Sequence, residues 1–107
     1  MGSSLQALQD QYFFLTQNLS DMLAACETQA QRDALQAQYV TARRNFFNCI
    51  NKTLHDDDPA AAALVQQMKT EQENLKKAVT DLSKIATVIS VITDAVKVGT
   101  ALASLAG

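Results

Sequence analysis

Apolar residues recur at Leu5, Leu8, Tyr12, Leu15, Leu19, Met22 and Cys26, three and four positions apart. That spacing is the seam of an α-helix packed on another helix. Phe13 and Phe14 widen the stripe beyond a strict seam. A polar stretch follows from Glu27 to Asp33, and the seam resumes one position out of phase at Leu35, Tyr39, Ala42, Phe46, Cys49 and Thr53. A slip without glycine or proline is either a stutter in one long helix or a tight turn between two. In the second case Thr28 is the N-cap and Gln31 completes a capping box. The pattern leaves both open and leans slightly to a break or bend.

From Leu5 to Val98 there is no glycine, and the only proline, Pro59, follows Asp56, Asp57 and Asp58. That punctuation divides the chain into one arm over about 4–54, a turn at 55–58 and a second arm over about 59–105. Asp58 is placed to cap the second arm, and Pro59 suits the first helical position. Ser3 and Ser4 are placed to cap the first. The second seam runs through Leu64, Met68, Leu75, Val79, Leu82, Ile85 or Ala86, Ile89, Ile92, Val96, Gly99 and Ala103. These patterns predict an all-α single domain over 1–107. Its architecture is an antiparallel long helical hairpin, or a small up-down helical bundle whose arms bend near 27 and 83. A hairpin turning at 55–58 would lay residues 8–26 beside 87–105. Two helices shelter only one side of each other, so completion by oligomerisation is expected.

The segment from Ile85 to Ala106 carries only two charges, Asp94 and Lys97. With Thr87, Ser90, Thr100 and Ser104 they step by three or four, forming one narrow polar stripe on an apolar helix. Ala95, Gly99 and Ala103 form a ladder of small residues that lets helix backbones approach closely. The remaining face, Ile85, Val88, Ile89, Ile92, Val96, Gly99, Leu102 and Ala103, is the candidate surface for a partner helix or for lipid. Twenty-two residues reach about 33 Å, enough to cross a bilayer core. Against that, Asp94 and Lys97 near the midplane would each cost about 2.5–3.5 kcal/mol. A central bundle helix whose polar stripe meets solvent is the better reading of the same pattern.

Composition narrows the function further. The net charge is −2, and the first basic residue is Arg32, which argues against nucleic acid as a partner. Two cysteines, Cys26 and Cys49, and one histidine are too few for a zinc site, and no Cys-x-x-Cys pair is present. Both cysteines are expected as reduced core residues. His55 with the three aspartates could hold a divalent cation, but an acidic helix start is the simpler reading. Arg43 and Arg44 beside Phe46 and Phe47 suggest an anion or partner site; more simply, they are the two faces of one helix turn. No nucleophile–base pair, glycine-rich phosphate loop or Glu-x-x-His pair occurs, so neither an enzyme nor a cofactor is expected. The start, Met1 to Gln6, lacks the basic and apolar regions of a signal peptide. A cytoplasmic location, or export without a cleaved signal, is expected.

In outline the chain is similar to small secreted helical hairpins with a Trp-x-Gly turn, although His55 to Pro59 stands where that turn would be. Asp58-Pro59-Ala60 through Leu64 also resembles the turn of type III secretion needle subunits. Neither resemblance brings a functional residue with it. The sequence thus leads to a non-enzymatic helical protein acting by association with itself or with another helical protein. The alternative is a soluble form of a membrane-inserting or pore-forming protein using 85–106, or a secretion-system hairpin subunit.

Overall fold

Asp58 accepts a hydrogen bond from the Ala60 N–H at 2.9 Å, and Pro59 opens a helix that runs to Ala78. The computed structural model describes residues 2–107, and all its regular elements are helical. In chain order they are α1 (Ser3–Ala25), α2 (Gln29–Cys49), α3 (Pro59–Ala78) and α4 (Ile85–Ala103), with one 3₁₀ turn, Leu82–Lys84, leading into α4.

The phase slip after Cys26 is a break. Thr28 Oγ1 accepts from the Gln31 N–H at 3.1 Å, and Gln31 Oε1 accepts from the N–H groups of Glu27 and Thr28. These reciprocal bonds satisfy orphan donors at the start of α2 and make the turn cheaper than continuing the helix. A continuous arm over 4–54 would be about 75 Å long at 1.5 Å per residue. The long axis of the molecule is 42 Å.

The start of α1 departs from expectation. Neither Ser3 nor Ser4 caps it: the N-cap is Gly2, which has no side chain to offer. The acceptor comes from the far loop instead, where Asp56 Oδ1 takes the Ser4 N–H at 2.9 Å. A Cβ on residue 2 would collide with that carboxylate, so the missing side chain is what lets Asp56 approach.

Side-chain contacts fix the helix directions. Thr16 Oγ1 meets the Tyr39 hydroxyl at 3.4 Å across antiparallel α1 and α2. Asn45 Nδ2 donates to Thr100 Oγ1 at 3.0 Å, and Cys49 lies opposite Ala103, so α2 and α4 run parallel. Helix α4 also packs along α3, while α2 and α3, though consecutive, scarcely touch. The 50–58 segment therefore crosses one end of the molecule. There Thr53 and Gly107 exchange two backbone hydrogen bonds of 3.1 Å each, while Asp56 holds α1.

Two apolar clusters fill the interior. One gathers Leu15, Met22, Leu35, Leu75, Ile85, Val88, Ile92 and Val96. The other gathers Leu8, Phe46, Cys49, Val65, Met68 and Leu102. Between Leu8 and Leu15 on α1 stands Gln11, a buried amide. Its Nε2 donates to the Ala95 carbonyl of α4 at 2.8 Å. The seams read from the sequence are the ones that face inward.

Candidate interaction face

Helix α4 is where the sequence placed its functional candidates, and most of them are already covered within one chain. Ile85, Val88, Ile92, Val96, Gly99 and Leu102 are buried, and Ile89 and Ala103 are half-buried. Asp94 and Lys97 are exposed, as are Thr87, Ser90, Thr100 and Ser104. The polar stripe is thus the solvated face of α4 and the apolar face is its core face. Three helices, α1, α2 and α3, close around it. By length and composition alone, Leu82–Ala103 is long and apolar enough to cross a membrane. Gly99 has a specific local role: a Cβ there would stand 2.7 Å from Gln11 Oε1.

The surface that remains apolar lies on α1 and α2. Phe13 is 47% exposed, Val40 50%, Phe47 47% and Ile50 46%. On α2, positions 40, 47 and 50 fall on one side of the helix, opposite buried Leu35, Ala42, Phe46 and Cys49. Tyr12 ties the two helices together: its ring lies 5.6 Å from Phe13, 5.9 Å from Tyr39, 6.0 Å from Phe46 and 5.7 Å from Phe47. Such offset and edge-on contacts hold rings in fixed orientations. Phe46 points inward and Phe47 outward, with the Arg43 guanidinium 5.2 Å above the Phe47 ring. Arg43 shares the row of positions 40, 43, 47 and 50, Arg44 lies on the other side of Phe47, and both are exposed. Among the described residues the single ion pair is Lys76–Glu73, so neither arginine is paired.

The titratable groups with altered affinity for protons lie elsewhere. Hydrogen bonding by Ser4 holds the Asp56 carboxyl below the ordinary carboxylate range. Ser83, through hydroxyl and backbone N–H, does the same for Asp81. Burial pushes the Cys49 thiol up, partly offset by Lys52. Both cysteines are free and buried, one in each cluster. A shallow cleft of about 380 Å³ beside the 3₁₀ turn has a floor of Ala78, Val88 and Val91 with Lys77 and Lys84 on its rim. Among the described residues no group of three His, Cys, Asp or Glu side chains converges as a metal site would require.

The exposed stripe was only half legible in the sequence. Phe47 follows buried Phe46 and Phe13 stands between half-buried Tyr12 and Phe14, so hydrophobicity alone does not separate the exposed rings from the covered ones. The adjacency of Arg43 and Arg44 to Phe46 and Phe47 was the usable signal. Comparison with family models, curated proteins and solved structures yields no match.

Proposed function

We propose that this protein is a non-enzymatic helical bundle that works by helix-mediated association, using the α1–α2 face rather than α4. One observation carries the reading: among the described residues, four of the five large apolar side chains left exposed, Phe13, Val40, Phe47 and Ile50, lie on α1 and α2 at this face. Scattered single exposed hydrophobes need no explanation, whereas a contiguous group rimmed by polar residues marks an interaction surface. Aromatic and arginine side chains are also the residues that most often anchor such contacts.

The test measures homo- and hetero-association side by side. Light scattering reports self-association, and fluorescence anisotropy reports binding of labelled amphipathic helical peptides. Each is repeated on Phe13→Gln/Phe47→Gln, with helicity checked by circular dichroism. Association of either kind that the double variant loses while staying folded supports the reading. Association indifferent to the variant, or none of either kind, overturns it.

A second reading rests on the length and apolar character of Leu82–Ala103. It requires α4 to leave the fold and strip Ile92, Val96 and Leu102 of their partners. Dye release from liposomes tests it. Leakage that stops when α4 is held to α2 by an engineered disulfide would favour a membrane role, and intact liposomes would remove it.

A further inference from the structure

We infer that the α1–α2 face takes an acidic amphipathic helix of another protein; this rests on the docking reading above and names its partner. The argument begins with charge. Over residues 34–55 the chain has no Asp or Glu, yet it carries Arg43, Arg44 and Lys52. This cationic stretch belongs to a protein whose net charge is −2. The two arginines bracket the exposed Phe47 and have no carboxylate partner among the described residues.

Shape agrees with charge. Val40, Phe47 and Ile50 extend about 15 Å along α2 at 1.5 Å per residue, roughly three helical turns. Arg43 lies within this row, its guanidinium over the Phe47 ring, and Arg44 lies to its side. With Phe13 across the α1–α2 seam, the strip is apolar with cations set into and beside it. An amphipathic helix reads such a strip through residues spaced three, four and seven apart, with carboxylates placed to meet the two arginines. A second copy of this chain fits less well. A two-fold contact through the same patch would set Arg43 and Arg44 of one copy against those of the other. An anionic bilayer also fits less well, because two arginines in a strip of this width give little electrostatic attraction against the net negative charge of the whole.

The experiment uses the full chain and two synthetic helices of about three heptads, identical in their leucine seam, one glutamate-rich and its twin lysine-rich. Binding is read by fluorescence anisotropy at two salt concentrations. The acidic helix is expected to bind at least about tenfold more tightly than its twin, with the gap narrowing at higher salt. Phe47→Gln should weaken both peptides, and Arg43→Glu/Arg44→Glu should reverse the preference. Equal binding of the twins, or no binding of the acidic helix, overturns the inference. If light scattering then still shows self-association lost in Phe13→Gln/Phe47→Gln, the partner assignment fails while the docking face stands. If that variant changes nothing, both fail. Flotation with vesicles of phosphatidylcholine and phosphatidylserine closes the remaining route: capture that depends on Arg43 and Phe47, without peptide binding, also overturns it.

Discussion

Gln11 on α1 occupies the space that a side chain at Gly99 on α4 would need. Its Nε2 reaches the Ala95 carbonyl at 2.8 Å, and its Oε1 would lie 2.7 Å from a Cβ at residue 99. The Oε1 itself has no hydrogen-bond partner, although the side chain is buried. An amide thus crosses the core between two apolar clusters, satisfied at one end only. A Cβ at residue 99 would force that amide to shift.

This pair yields opposite expectations for two substitutions. Gly99→Ala forces the end of the Gln11 side chain to shift. Ala gains about 0.5–1 kcal/mol of helix propensity over Gly, so the net loss should be at most about 1–2 kcal/mol. Gln11→Met keeps the volume and removes the orphaned oxygen, so it should be neutral or stabilising. Ala95 keeps its backbone bond within the helix in either case. The double variant should depart from the sum of the single effects, because both side chains contend for one space. Urea melts of the four proteins measure the coupling; strict additivity would show that the two residues do not interact.

Asp56 should act as a cap at long range. Asp56→Ala removes the acceptor of the Ser4 N–H and should cost about 0.5–2 kcal/mol at neutral pH. The carboxyl binds protons less readily when folded than when unfolded. Its contribution is therefore complete above the unfolded value, about 3.9, and disappears as pH falls through the lower folded value. The stability gap between wild type and variant should hold from neutral pH to about pH 5 and close below about pH 4. Asp81 is also held low, but it titrates in both proteins and cancels from the difference. A gap unchanged in acid would contradict the capping role.

The cysteines should be silent in the native state. Cys26 and Cys49 are buried and belong to different clusters, and burial raises the Cys49 thiol further from its reactive form. A thiol reagent such as a dithiobisnitrobenzoate should label both slowly in native protein and rapidly in urea. Reductant should leave the mass in solution unchanged. Fast native labelling of Cys49 would show that the α2–α4 contact opens.

Much of this fold is legible in the sequence because helix signals are local. Thr28 with Gln31 and Asp58 with Pro59 mark two helix starts in the chain itself, and the seam residues Leu15, Met22, Leu35, Leu75 and Ile92 are the ones that end up buried. Long-range choices leave weaker marks. Nothing near Ser4 indicates that its cap comes from residue 56, and nothing in α2 indicates that Asn45 will meet Thr100 rather than a residue of α3. The apolar breadth of α4 signals burial but not by what, so a partner or a bilayer fits the pattern as well as α1, α2 and α3 do. The exposed aromatic strip is the converse case: Phe47 differs from Phe46 only in phase, and the phase becomes readable once the break at residues 26–28 sets the start of α2.

The account turns on the α1–α2 face, and backbone amide chemical shifts recorded during titration with the glutamate-rich helix test it most directly. The expected outcome is perturbation concentrated at Phe13, Val40, Arg43, Phe47 and Ile50, with α3 and the solvent stripe of α4 at Asp94 and Lys97 unchanged. Perturbations centred on α4, or a spectrum that does not respond at all, would contradict it.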